Sequence, residues 1–539
     1  MKPMNFDFQS RRSMVLARRG MVAASNPLAS QAGLQILREG GNAADAAIAA
    51  AAVMNVTAPA STGIGGDCFV LYYNAKTKTI SALNGSGRAP AAITLDHFKA
   101  KGYTEIPERS ADAVTVPGAV QGWEDVLTRH GTMDFKTVLR DAIHYASEGY
   151  VVSPVFGTGW SRDTTEAFLK KSPNTEDYLP SGKSPQVGQV VQLQGLARTF
   201  QQIADGGAQA FYQGDPAKAI IETLQPLGSL MTLDDLKNHQ STWEDPITTN
   251  YRGIDVYECP PNGQGLTALI ALNILEHDDL ASLPWDSPER LHRMVEAMRL
   301  AFADARHYIA DPVTDPAPLT DLLSKPYAKQ RHAMISNAAA MQPPSYGQAF
   351  GGSDTIYLTT MDSQGNACSF INSLYMGFGS GIVAKGTGIF LQNRGANFTL
   401  EDGHPNVIAG GKRPYHTIIP GMALKDGDLW ASFGVMGGFM QPQGHVQVLT
   451  AMIDDDLNPQ DALDRSRFCL LDGTSDSTLA LEDGIPLKTM ARLAELGHTV
   501  KPLVGTNRAW FGSGQIIRYV DGVMLGGSDP RKDGLVAAF

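Results

Sequence analysis

Two hydroxyl residues, Thr355 and Ser373, stand at the two ends of a stretch that reads as a β-hairpin, TIYLTTMDSQGNACSFINS. From Thr355 to Met361 the side chains alternate. Thr355, Tyr357, Thr359 and Met361 face one way, Ile356, Leu358 and Thr360 the other. DSQGN supplies the turn, with Gly365 suited to the left-handed position of a three-residue loop. If Asp362 pairs with Asn366, Thr355 falls opposite Ser373, and directly opposite residues share a face. A bulge at the turn would move that pairing by one position. Threonine also favours strands in general. What sets Thr355 apart is the loose Gly351-Gly352-Ser353-Asp354 loop before it. Were the Asp354–Thr355 bond cut, Thr355 would become an N-terminus. Its hydroxyl is a nucleophile, and its α-amine, with a pKa of about 8, is a base. The same hydroxyl can cut that bond by attacking the Asp354 carbonyl, so no separate histidine is needed.

A second feature is FGVMGGFMQPQGHVQ, which reads as a strand, Gly437-Gly438, and a helix start with Pro442 in its first turn. The pair fits an ordinary glycine turn. A Gly-Gly backbone ahead of a helix can also aim two N–H groups at developing negative charge, as an oxyanion hole requires. GFGSG at Gly377 to Gly381 has glycines suited to a dinucleotide turn, but IVAKGTGIFLQ after it is strand-like. A dinucleotide turn must open a helix, so that reading is excluded.

The elements around these residues follow from periodicity and punctuation. A helix is expected over Leu28–Glu39, stopped by Gly40-Gly41, and a second from the Asn42 cap to about Val56. CFVLYYN and TISALNG form a hairpin about Lys76-Thr77. Helical patterns dominate from about Val116 to Asp311, with Ser287 capping a helix that has Pro288 at its first position. Residues 337–354, rich in Pro, Gly and Ser, read as an exposed linker. After it come alternating strands, a helix near Gln443–Ile453, another near Pro486–Leu496, and final strands. Strands in both halves with helices between them suggest packed sheets with helical layers outside.

Composition narrows the function classes. The chain has 539 residues, 43% hydrophobic and 18% charged, which suits a globular protein with more than one core. A net charge of −11 argues against a nucleic-acid surface. No secretory signal is read at the N-terminus, and the longest apolar run, Ala43 to Val56, is too short to span a bilayer. Cys68, Cys259, Cys368 and Cys469 are far apart and form no CxxC pair, and the histidines show no metal-binding spacing. No disulfide, metal or cofactor is expected, and a cytoplasmic location fits.

The stretch from Thr355 to Phe398 resembles the head of the small subunit of the γ-glutamyltransferases and their acylase relatives. GLQILREGGNAADAAIAA, STGIGGDCF, TVPGAVQGWEDVLTRHGTM, EAMRLAFADARHYIADP and GGSDPRKDGLVAAF match further family landmarks in order. The resemblance implies an α/β (α+β) fold, the four-layer αββα N-terminal-nucleophile hydrolase sandwich. It implies a precursor that cleaves itself between Asp354 and Thr355, into a large subunit of residues 1–354 and a small subunit of residues 355–539. A homodimer of such heterodimers is one assembly it leaves open. Thr355 would be the nucleophile, Gly437 and Gly438 the oxyanion hole, and Ser373 the hydroxyl supporting the nucleophile's amine.

The substrate-gripping positions depart from the transferase pattern. Asn397 stands where an aspartate binds the glutamyl amine. His416-Thr417 replaces paired serines that hold its carboxylate, and Ser86 replaces the clamping arginine. Arg88, two residues on, and Arg394, where transferases usually have an uncharged residue, can each bind a carboxylate. Tyr375 can cover the acyl site. The segment from Thr399 to Gly411 is shorter than the lid-bearing loop of some transferases, so a more open site is expected. The implied function is amide hydrolysis or acyl transfer on a small carboxylate-bearing acyl group, oxamate- or glutaryl-like. Ordinary γ-glutamyl or glutathione hydrolysis is one alternative, and a catalytically silent scaffold or binding protein another.

Overall fold

The computed structural model describes residues 12–341 and 355–539. Two seven-stranded sheets form the centre. The first runs in the order Leu535–Ala538, Met21–Ala24, Ile356–Met361, Ala367–Ser373, Asp67–Asn74, Thr79–Gly85, Thr242–Glu244. The second runs Val15–Ala17, Val523–Ser528, Ser513–Val520, Asp428–Met436, Gly421–Lys425, Ile254–Glu258, Ile247–Tyr251. Neighbouring strands in both sheets pair antiparallel.

Three cores separate four layers. Phe69, Tyr357, Met361, Ile371, Met422 and Ile517 meet between the sheets. Ile356, Leu358 and Phe370 pack outward on helices that include Ala43–Thr57. Phe433, Val435 and Ile516 pack outward on Gly265–Leu275 and Pro288–Tyr308. This is the αββα sandwich that the resemblance implied.

Local sequence explains why the nucleophile hairpin sits as it does. Asn42 caps Ala43–Thr57 in a capping box with Asp45. All residues of that helix are buried, and its many alanines let it lie close against the sheet. Its first turn grips the hairpin: the Ala43 N–H donates to Asp362 Oδ2 (3.1 Å), and Thr360 Oγ1 donates to the Ala43 carbonyl (2.6 Å). Asp362 also accepts from the Gln364 and Asn366 N–H groups and from Asn366 Nδ2. The turn is therefore pinned without a bulge. Ile356 pairs with Asn372 and Met361 with Ala367, the expected register.

The helical reading of Val116–Asp311 needs correction. Thr242–Glu244, Ile247–Tyr251 and Ile254–Glu258 are strands, and the last two complete the second sheet. Ile247–Tyr251 is buried at alternate residues, the period-2 signature that neighbouring helical patterns obscured. Pro288–Tyr308 does start at the Ser287 cap. The helix expected near Gln443 begins at Met440. Of the expected linker, residues 337–339 are exposed, and the Met341 N–H is tied to Glu296 Oε2 (2.7 Å). Residues 342–354, Asp354 among them, lie outside the described residues. All four cysteines are buried and free.

His292, Glu296 and His498 meet near this segment. His292 Nδ1 and His498 Nε2 share a hydrogen bond (2.8 Å), and His292 Nε2 bonds the Ser336 carbonyl (2.7 Å). Arg299 lies 3.5 Å from Glu296. The cluster thus fastens the chain at 336–341 by hydrogen bonds. Among the described residues no helix is long and apolar enough to cross a membrane.

Candidate active site

Thr355 opens its strand at the end of the hairpin, on the face turned toward the second sheet. Two contacts across the sheets set its position there. Thr359 Oγ1 bonds Ser432 Oγ (2.6 Å), and the Tyr357 ring lies against Gly434, where a Cβ would come within 2.4 Å of it. The same stepping brings Thr355 level with Met436, one residue before Gly437. Gly437 (φ +130°) and Gly438 (φ +61°) have conformations that favour glycine. Their carbonyls accept from the Met440 and Gln441 N–H groups at the helix start. Neither Gly437 nor Gly438 donates its own N–H to a backbone carbonyl among the described residues.

Ser373 joins the nucleophile to an arginine. Its Oγ shares a 3.1 Å hydrogen bond with Thr355 Oγ1 and accepts from Arg394 Nη2 (3.2 Å) and from the Tyr375 N–H (2.8 Å). Arg394 Nη1 donates to Thr417 Oγ1 (2.7 Å), and the guanidinium stacks 4.6 Å from the Tyr375 ring centre. Tyr375 holds a positive φ of +78° in this arrangement, a strained state for a bulky residue. Thr355, Ser373, Tyr375, Arg394, His416 and Thr417 are all buried. Tyr375 covers the Arg394 guanidinium.

The buried charge on Arg394 has a counterion that sequence reasoning missed. Asp67 accepts from the Gly87 N–H (2.9 Å), the Gly118 N–H (3.1 Å), Gln392 Nε2 (2.8 Å) and His416 Nε2 (3.0 Å). Burial raises its pKa, but His416, the Arg394 charge and Gln392 outweigh it and hold the carboxyl below its ordinary range. Burial pushes Arg394 down to about 10, against the pull of Asp67. Burial, with Arg394 adding to it, pushes His416 down to about 3. His416 is therefore a neutral donor to Asp67 and does not take the carboxylate-holding place of the serine it replaces. The available signal was an aspartate heading the apolar run DCFVLYYN.

Two more residues escaped the sequence reading. Gln264 Nε2 donates to the Thr417 carbonyl (2.6 Å) and the Gly438 carbonyl (2.9 Å), locking the glycine turn to the Arg394 partner. Arg413, buried, donates to the Ser86 carbonyl (3.1 Å) and so ties the His416-Thr417 segment to the first sheet. Ser86 itself is paired with Asn262. Arg88 does not join the cluster: its guanidinium donates to the Gln240 carbonyl (3.3 Å). Asn397 lies in the same 3₁₀ turn as Arg394, three residues on, where side chains eclipse. Its Nδ2 and Arg394 Nε are buried without a hydrogen-bond partner among the described residues.

Ser373→Ala tests the shared hydroxyl. It leaves the Tyr375 N–H and Arg394 Nη2 without this acceptor, at a cost of about 1–3 kcal/mol. The variant is expected to remain folded by circular dichroism, with processing and turnover slowed by about tenfold. Unchanged rates of both would show that the nucleophile does not use Ser373.

The family profile described as Gamma-glutamyltranspeptidase matches residues 29–539. The chain is 40% identical over 527 residues to the glutathione hydrolase-like YwrD proenzyme of Bacillus subtilis, covering 96% of this chain and 98% of that one. It is 36% identical over 530 residues to the oxamate amidohydrolase proenzyme of Klebsiella pneumoniae, with the same coverage. The crystal structure of cephalosporin acylase from Bacillus halodurans superposes with a TM-score of 0.93 at 42% identity, covering 100% of this chain and 99% of that one. With a match of this length over a shared αββα fold, the chain belongs to the gamma-glutamyltranspeptidase family of N-terminal-nucleophile amidohydrolases and transpeptidases.

Proposed function

We propose that this chain is a self-processing threonine amidohydrolase for short acyl groups that carry a carboxylate next to the scissile carbonyl, such as the oxalyl group of oxamate. The observation that carries the reading is the place of Arg394. Ser373 Oγ touches both Thr355 Oγ1 and Arg394 Nη2, so nucleophile and guanidinium are separated by a single hydroxyl. An attacked carbonyl sits about 3–3.5 Å from its nucleophile. A carboxylate on the next carbon then falls within reach of the guanidinium, whereas a glutaryl chain must fold back to reach it. Arg394 Nε and Asn397 Nδ2 are both unpartnered donors, which suit an anion rather than an ammonium group. The oxamate amidohydrolase relative and the proenzyme names support the same reading.

In maturation, Thr355 Oγ attacks the Asp354 carbonyl, the C–N bond breaks, and an ester replaces the amide. Water hydrolyses that ester, leaving a carboxylate on Asp354 and a free α-amine on Thr355, with residues 1–354 and 355–539 as the two subunits. In turnover the α-amine takes the Thr355 hydroxyl proton as Oγ attacks the substrate carbonyl. Gly437 and Gly438 N–H groups hold the oxyanion. The proton passes to the leaving amine as the C–N bond breaks, and water releases the acyl group.

The test is a matched comparison of oxalyl, glutaryl and γ-glutamyl 4-nitroanilides, with oxamate alongside. The oxalyl compound is expected to have the highest kcat/KM. Asn397→Asp is expected to improve γ-glutamyl turnover relative to oxalyl by about tenfold, because it restores a charged partner for the amine. A wild-type preference for the γ-glutamyl compound would instead establish a glutathione hydrolase type of specificity.

A further inference from the structure

A cleft of about 430 Å³ has Gly437 in its wall and a charge pattern that the acyl site does not explain. Arg109, Arg162 and Lys532 line it together with Phe168 and Trp510, and no Asp or Glu lines it among the described residues. Arg109 donates to the Gly377 carbonyl (2.8 Å) and to the Gly379 carbonyl, and its guanidinium stacks 4.5 Å from the Phe168 ring centre. Arg162 is exposed, and Trp510 keeps 42% of its surface exposed. The neighbouring acid Asp533 is engaged by Ser153 Oγ and by the Val155 and Phe156 N–H groups.

Three groups leave the scissile carbonyl carbon. The oxygen goes to Gly437 and Gly438, and the acyl chain goes to Arg394. The loop after Ser373 divides what remains, since Tyr375 covers Arg394 while Gly377 and Phe378 line the cleft. The amine is therefore directed into the cleft. We propose that the cleft is a leaving-amine subsite that selects amines bearing an anionic group on a flat aromatic body, such as an aminobenzoate. This rests on the roles given to Thr355 and Gly437 above. Arg162 and Lys532 supply charge-assisted contacts to the anion, and Phe168 and Trp510 supply faces for the ring. No new covalent step is involved: the same C–N bond breaks, and the amine takes the proton carried by the Thr355 α-amine.

The experiment compares 4-nitroanilides with 3-carboxy-4-nitroanilides of the same acyl group, in oxalyl, glutaryl and γ-glutamyl series, on the processed enzyme. In every series that is cleaved, the carboxylated anilide is expected to have about tenfold higher kcat/KM. That ratio should fall toward one when Arg162→Ala is combined with Lys532→Ala, fall further in Arg162→Glu, and shrink as salt is raised. Equal kcat/KM for the two anilides, or a ratio that survives the double replacement, overturns the inference. The order between acyl series reports on Arg394, and the ratio within a series reports on the cleft, so the two readings fail separately. No turnover in any series rejects both.

Discussion

Thr355→Ala is expected to run as one full-length chain on a denaturing gel, and the wild type to resolve into two fragments, the smaller starting at Thr355. The same substitution is expected to lower amide hydrolysis by on the order of 10⁴- to 10⁶-fold, the scale of losing a nucleophile together with its proton path. One feature argues for so large an effect: Thr355 Oγ1 is held by Ser373 at the end of a pinned hairpin, the position at which a single hydroxyl would serve both cleavage and turnover. Thr355→Ser keeps the oxygen and is expected to process and turn over more slowly, without loss of either. N-terminal sequencing that found another start would move the site. A single band for the wild type under all conditions, with no turnover, would make the protein a silent member of its family.

Arg394→Met separates acyl recognition from the chemistry. Methionine fills much of the buried volume but has neither charge nor donors. A carboxylate bound by the guanidinium gains two charge-assisted hydrogen bonds, each worth about 1.5–3 kcal/mol. Their loss is expected to lower kcat/KM for oxalyl amides by on the order of 10²- to 10³-fold. Amides of uncharged acyl groups should lose much less, because Thr355 and the glycine turn are still in place. Arg394→Lys should fall between, with charge kept and the fork lost. Asp67 retains the donors Gly87, Gly118, Gln392 and His416, so the buried carboxylate is not left bare. Equal losses for charged and uncharged acyl groups would mean that Arg394 supports Ser373 and Thr417 and does not bind substrate.

Where local chemistry decides the outcome, the amino-acid sequence was sufficient. The hairpin register followed from alternation and one turn glycine, and Thr355 does meet Ser373. Asn42 and Ser287 marked helix starts because a capping side chain acts on N–H groups two or three residues away. Gly437 and Gly438 were legible because their positive φ values need glycine. The motifs in chain order gave the family, and the αββα layers came with that resemblance; the pattern of strands and helices by itself indicated only packed sheets with helices outside.

Other features depended on which distant segments pack together. Arg88 and Arg394 look alike as residues near pocket motifs, yet only Arg394 reaches Ser373, while Arg88 turns to Gln240. Gln264 and Arg413 carry no motif of their own, and Asp67 lies in the STGIGGDCF landmark without a role that the landmark itself reveals. Their roles come from backbone groups and side chains far off in sequence, which folding alone brings within hydrogen-bond distance. His416 was read as a substrate ligand, but the strand head at Asp67 packs against it and makes it a neutral donor to a buried carboxylate. Such assignments rest on desolvation and on pairing across the fold, and both are properties of the assembled core rather than of any stretch of chain.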